Sequence, residues 1–163
     1  MDENSIARLR QLHPWLTHLA YALHDRLALE DIDLHITQGL RSYEDQAALY
    51  AKGRTSPGPI VTNAPPGHSW HSFGLAFDCA PFDLAGSPDW DVNHPAWGRI
   101  VDVGKNLGLF SGTQFTSLCD TPHFQLTGRF GPSPTDEVRN IYTAGGLQAV
   151  WESANIQPAS VVK

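Results

Sequence analysis

Apolar positions recur at helical spacing early in the chain and change to a two-residue alternation further in. Leu16, Leu19, Ala20, Leu23 and Leu27 share one helical face. A shorter helix over residues 4–12 precedes them and is interrupted at His13-Pro14. Residues 32–37 alternate as a strand, with Ile32, Leu34 and Ile36 inward and Asp33, His35 and Thr37 outward. Gly39 predicts a bend, and the same parity carried past it puts Arg41 on the polar face. Ser42 opens a helix with Glu44 and Asp45 in its first turn, Gln46, Leu49 and Tyr50 on its body, and Gly53 at its end. Residues 54–68 read as a loop, and a loop of that length in a small domain tends to be functional.

From Gly74 to Ala80 the alternation returns: Leu75, Phe77 and Cys79 face a core, and Ala76, Asp78 and Ala80 face away from it. His71 stands at the entrance of this strand. Asp78 lies between two methyl-sized neighbours, which predicts open space around its carboxylate. Further on, Asn93 and Pro95 start a helix that buries Trp97, Ile100, Val101, Gly104 and Leu107 and stops at Gly108. Pro122 biases Thr121 away from helix, so a turn at Asp120 feeds a strand starting near Pro122. In that strand His123 and Gln125 share one face, while Phe124 and Leu126 go to the core. One or two helices between Pro132 and Trp151 pack through Val138, Ile141, Tyr142, Leu147, Val150 and Trp151. The pattern predicts one domain over residues 1–163: N-terminal helices over 1–29, a core over 30–151, and a tail over 152–163 that frays.

The net charge of −6 argues against nucleic acid as a partner, because phosphate binding needs a basic surface. No apolar run is long enough to span a membrane. The start, Met1-Asp2-Glu3-Asn4, lacks the basic and apolar regions of a secretion signal, so synthesis as a cytosolic protein is expected. Cys79 and Cys119 are expected to be two buried thiols behind the site, with a bond between them as the alternative. Asp89-x-Asp91-x-Asn93 faintly resembles the start of a calcium loop but lacks its glycine and closing glutamate.

If the two polar-faced strands are neighbours, His71, Asp78 and His123 can converge on one metal, with Asp120 beside it. Two histidines, a carboxylate and an open fourth position are what a catalytic zinc site requires. A carboxylate off the metal suits a general base, and a fixed cation such as Arg41 suits a developing oxyanion. A purely structural cluster is the alternative. His18 and His24 are not at metal-pair spacing with each other and His13 sits beside a proline, so all three are expected at surface or half-buried structural positions; His68, in a Gly-His-Ser turn, is expected at the rim of the cleft.

These residues also resemble a known family, the zinc D,D- and L,D-peptidases of bacterial cell walls. The pattern Ser-x-His-x-x-Gly-x-Ala-x-Asp is met in full by Ser69, His71, Gly74, Ala76 and Asp78. Within that family the chain looks most like the L-alanyl-D-glutamate endopeptidases of phage endolysins and related autolysins. That likeness rests on Gly39-Leu40-Arg41-Ser42, Gln46, Leu49-Tyr50, Gly53-Arg54-Thr55, Ile60-Val61-Thr62-Asn63-Ala64, Leu107-Gly108 and Asp120-x-Pro122-His123-Phe124-Gln125-Leu126. The resemblance implies an α+β fold of the hedgehog/DD-peptidase type, a small antiparallel sheet flanked by helices. It implies zinc on His71, Asp78 and His123, Asp120 as base, Arg41 stabilising the intermediate, and Ser69 and Gln46 holding substrate or supporting the site.

The expected activity is hydrolysis of the L-Ala–D-Glu bond in peptidoglycan stems by a monomer, in an endolysin released to the wall. A D,D-carboxypeptidase or dipeptidase acting on terminal D-Ala, or a zinc-binding domain without catalysis, are the alternatives. Where such proteins often carry a Trp-Gly-Gly-x-Trp-like stretch, this chain reads Phe110-Ser111-Gly112-Thr113-Gln114-Phe115, a difference that bears on the wall of the substrate cleft.

Overall fold

The computed structural model describes residues 1–116 and 118–156 of the chain. Helix α1 (Glu3–Leu9) begins at Asp2, whose carboxylate accepts from the backbone N–H groups of Asn4 and Ser5. Helix α2 (Pro14–Ala28) has Pro14 in its first turn, where the missing N–H costs nothing, and the His13 ring accepts from the Trp15 N–H. The apolar face expected of α2 is buried along its whole length. Strand β1 spans Leu34–Gln38, with Leu34 and Ile36 fully buried and Ile32 only partly so, ahead of the strand. Helix α3 (Tyr43–Ala51) starts on Ser42, as expected, with the hydroxyl accepting from the Asp45 N–H. Its one buried residue is the polar Gln46, and the partly buried Tyr43 at its start packs on Phe73 and Tyr142.

The largest difference from the sequence reading lies just before β2 (Ala76–Pro81). His71 sits in a 3-10 turn, Trp70–Phe73, which Ser69 caps and Gly74 ends at φ 65°. Glycine takes that left-handed exit without strain, and a Cβ there would also stand 3.0 Å from the Trp151 ring. Because the chain turns at Gly74, the alternation does not extend back to Leu75. Leu75 joins Trp70, Phe73, Ala76, Val138 and Val150 in a second apolar cluster, while Phe77 and Cys79 enter the main core. The clearance predicted around Asp78 is absent along the strand: the second cluster covers Ala76 and the main core covers Ala80.

The sheet has the order β1-β2-β4-β3, with β3 at Phe110–Ser111 and β4 at His123–Gln125, and every neighbouring pair is antiparallel. Helix α4 (Pro95–Asn106) is capped by the His94 ring, which accepts from the Ala96 N–H, and not by Asn93. Asn93 is committed elsewhere, its backbone and side chain both donating to Asp91. Val103 takes the buried place expected of Val101, beside Trp97, Ile100 and Gly104. Helix α5 (Asp136–Ala154) bends at Gly146 and reaches a fully buried Ala154, within the stretch expected to fray. The rest of that expectation, residues 157–163, lies outside the described residues.

Five helices around a small antiparallel sheet thus form a single α+β domain among the described residues, as expected. No described helix is long and apolar enough to cross a membrane. Cys79 and Cys119 are both free, so the disulfide alternative fails, and Cys119 is exposed rather than buried. Burial first, and then the neighbouring Asp78, push the Cys79 thiol well up, which makes it an inert packing group.

Candidate metal and active site

β2 and β4 are neighbours, and their register sets Asp78 directly opposite His123. Opposed residues of antiparallel strands project from the same face. His71 reaches that face from the 3-10 turn, which is fastened to the segment between β1 and α3 by the Arg41 N–H donating to the His71 carbonyl at 3.1 Å. His71 Nε2, His123 Nδ1 and Asp78 Oδ1 consequently form a triangle with every edge 3.1 Å. Among the described residues this is the one His/Cys/Asp/Glu cluster able to hold a metal ion.

The outward hydrogen bonds of the two rings decide what the triangle offers. The Gly39 carbonyl lies 2.9 Å from His71 Nδ1 and can only accept, so that nitrogen carries the proton and Nε2 presents a lone pair. Gln125 donates its amide N–H to the Pro132 carbonyl at 3.0 Å, which turns its Oε1 toward His123 Nε2 at 3.0 Å. His123 therefore donates from Nε2 and presents its Nδ1 lone pair inward. Two lone pairs and a carboxylate oxygen at 3.1 Å repel one another unless a proton or a cation lies among them. A tetrahedral ion with ligands at about 2.0–2.1 Å sets them roughly 3.3 Å apart, so the triangle is close to ligand size as it stands. The donor set, two imidazoles and one carboxylate with the remaining side open to a cleft, fits a divalent ion.

A proton on His123 can take that place without metal. Burial opposes charge on His123, but the hydrogen bond and charge of Asp78 outweigh it, and its pKa is raised. Burial likewise opposes charge on Asp78, yet His71 and His123 hold its carboxyl well below the usual carboxylate range. The stability gained from the His123 proton is complete below about pH 6.5 and is lost as pH rises through the raised folded value. The Asp78 share is present above about pH 3.9 and is lost as pH falls through its depressed value. A metal bound there would have to displace any proton on His123, so metal affinity is expected to rise with pH until that proton is gone, and to level off above. Competition titrations from about pH 5 to about pH 9 check this, and a flat profile would contradict the ligand assignment.

Arg41 is almost buried and is held by two contacts: one guanidinium nitrogen donates to Gln46 Oε1 at 3.0 Å, another to Asp78 Oδ2 at 3.4 Å. Gln46 in turn donates to the Ala64 carbonyl at 2.7 Å, so the long loop, α3 and the arginine are linked through one buried amide. The Arg41 Nε is buried without a partner among the described residues. Ser69 accepts from the His71 N–H at 3.4 Å and also lines the cleft.

Asp120 is outside the triangle. Its N–H donates to the Gly112 carbonyl and its carbonyl accepts from the His123 N–H, each at 3.1 Å. A Cβ on Gly112 would stand 2.2 Å from the Asp120 carbonyl oxygen, so only glycine lets this turn close. Burial, and then the Asp78 charge, raise the Asp120 carboxyl above its ordinary value, against the pull of His123, His71 and Arg41.

Arg41, Ser69, His71, Asp78, Asp120 and His123 border one cleft of about 510 Å³, and Gln46 supports it from behind. The long loop supplies one wall through Val61, Thr62, Asn63, Ala64 and Pro65, with His68 exposed at the rim as expected. Phe115, from the stretch that differs from the Trp-Gly-Gly-x-Trp-like pattern, lines another wall and packs on His123 at 5.4 Å. His13 and His94 serve as helix caps, and His18 and His24 stay outside the site.

The sequence pattern assigns no site role to Gln125 or Trp90, and gives Gly39 only a bend. Gln125 was legible in principle, since a residue two beyond a strand ligand shares its face; the Gly39 carbonyl had no side-chain signal. The calcium-like run holds no described metal cluster, and its carboxylates accept from backbone N–H groups instead.

Residues 9–106 match the VanY family, described as D-alanyl-D-alanine carboxypeptidase. The chain is 38% identical over 122 residues to the peptidoglycan L-alanyl-D-glutamate endopeptidase CwlK of Bacillus subtilis (strain 168), covering 71% of this chain and 73% of that protein. It is similar to the crystal structure of the Serratia marcescens L-Ala D-Glu endopeptidase ChiX, with TM-score 0.54, 26% identity, and coverage of 78% of this chain and 89% of that one. The fold also matches a vancomycin-resistance D,D-pentapeptidase VanY solved in complex with Zn(II), with TM-score 0.56, 17% identity, and coverage of 88% of this chain and 83% of that one.

Proposed function

We propose that this chain, which belongs to the VanY D-alanyl-D-alanine carboxypeptidase family and acts on peptidoglycan as a peptidase, is a zinc endopeptidase cutting the L-Ala–D-Glu bond of the stem. The observation that carries the metal reading is the triangle of two inward lone pairs and a carboxylate oxygen at 3.1 Å. The bond assignment is supported by the two relatives named as L-alanyl-D-glutamate endopeptidases.

His71, Asp78 and His123 would hold the zinc, which when bound supplies a Lewis acid that polarises the scissile carbonyl and acidifies the attacking water. Asp120, placed beside the ligands but not among them, takes the proton of that water and delivers it to the leaving amine. It is partly buried on the cleft wall, where it can reach both the water and the leaving nitrogen. Arg41 lies on the cleft wall with a guanidinium fixed by Gln46, so it meets the developing oxyanion without a reorganisation cost. Gln46 and Ser69 hold Arg41 and the His71 turn in place.

The family description favours one rival, removal of terminal D-Ala. Digesting purified sacculi and identifying the new termini by mass spectrometry separates the two. The expected products are new N-terminal D-Glu and stems lacking L-Ala; release of D-Ala alone would reject the endopeptidase assignment.

A further inference from the structure

The chemistry above makes no use of a group of exposed apolar side chains at the mouth of the cleft. Val61, Trp90 and Leu118 are 44%, 53% and 42% exposed, and all three line it. Large apolar groups gathered at one opening mark a contact surface. Trp90 is the largest, and its loop is built to hold it. The Asp89 N–H donates to the Pro81 carbonyl at 2.9 Å, the Asp89 carboxylate accepts from the Asp91 N–H at 2.9 Å, and the Asp91 carboxylate accepts from the Asn93 N–H at 3.1 Å. The Trp90 indole also stacks on Trp97, centroids 6.4 Å apart and planes at 26°, and Trp97 is anchored in the main core. The calcium-like run therefore works as a scaffold that presents an indole.

We propose that Trp90 is a substrate-binding residue that stacks on the muramic acid ring carrying the peptide stem. The proposal rests on the bond assignment above. L-Ala is the first residue of the stem, and its nitrogen is joined through a lactyl group to the sugar. An enzyme that cuts the L-Ala–D-Glu bond thus has a pyranose one residue from the cut. L-Ala offers only a methyl group and D-Glu a carboxylate, and neither covers an indole. The C–H face of a pyranose does, matching the electron-rich face of the ring in size and polarity.

The test compares kcat/KM on a free stem tetrapeptide and on the same peptide carrying N-acetylmuramic acid, for the wild-type enzyme, Trp90→Ala and Trp90→Phe. The wild type is expected to prefer the muramyl peptide by about tenfold, mainly through KM. Trp90→Ala should erase that preference, with the loss confined to the muramyl peptide, and Trp90→Phe should restore part of it. Equal rates on both substrates, or an equal loss on both in Trp90→Ala, would overturn the sugar contact alone. A wild type that cuts neither substrate at the L-Ala–D-Glu bond would overturn the bond assignment and this proposal with it.

Discussion

Alanine at His123 is expected to leave the purified protein without stoichiometric metal and to reduce hydrolysis of sacculi to background. The substitution removes one of the three proposed ligand atoms and leaves Gln125 Oε1 without its donor. Loss of Lewis-acid stabilisation is worth several kcal/mol, roughly a thousandfold or more in rate at about 1.36 kcal/mol per tenfold. The buried Gln125 acceptor left unpaired costs about 1–3 kcal/mol of stability. Circular dichroism and thermal melts alongside chelator-stripped wild type separate the two effects, because stripped wild type is expected to keep its fold and to regain activity when zinc is returned. A His123→Ala enzyme that turned over at more than a tenth of the wild-type rate would contradict the metal site.

Asparagine at Asp120 should produce a different pattern. The change keeps shape and removes the base, so kcat is expected to fall by about 10²–10⁴-fold while metal content and KM stay near wild type. It should also raise the melting temperature of the metal-free protein at neutral pH. The sign follows from the raised pKa of Asp120, caused first by burial and then by Asp78. A group raised in the folded state contributes stability below its unfolded value, about pH 3.9, and loses it as pH rises through the folded value. At neutral pH the folded protein therefore carries a disfavoured carboxylate, and asparagine relieves it. Metal loss together with activity loss would move Asp120 from base to structural support.

The parts of this site that were legible in the sequence are those where side-chain type and strand parity coincide. His123 and Asp78 face each other because each sits at an outward position of a strand whose other face is apolar, with Phe77 and Phe124 both in the main core. Parity failed where the backbone stopped being a strand. His71 belongs to a 3-10 turn closed by Gly74, and that turn sends Leu75 into a second cluster that the alternation did not anticipate. Ala76 and Ala80 suggested clearance, but small residues in a strand covered on both sides also permit close packing, and the pattern alone does not distinguish these. Cys119 looked like the twin of Cys79 by its place beside an aspartate, yet it lies in an exposed irregular segment and not in a strand. Groups that act through the backbone, such as the Gly39 carbonyl that sets the His71 tautomer, leave no trace in side-chain chemistry.

Anomalous diffraction at the zinc edge, on crystals of the enzyme purified in active form, tests the account most directly. One peak is expected at about 2.0–2.2 Å from His71 Nε2, His123 Nδ1 and Asp78 Oδ1 together, with Asp120 outside the coordination sphere. Fully active crystals with no anomalous peak there, or with the ion held by other residues, would contradict it.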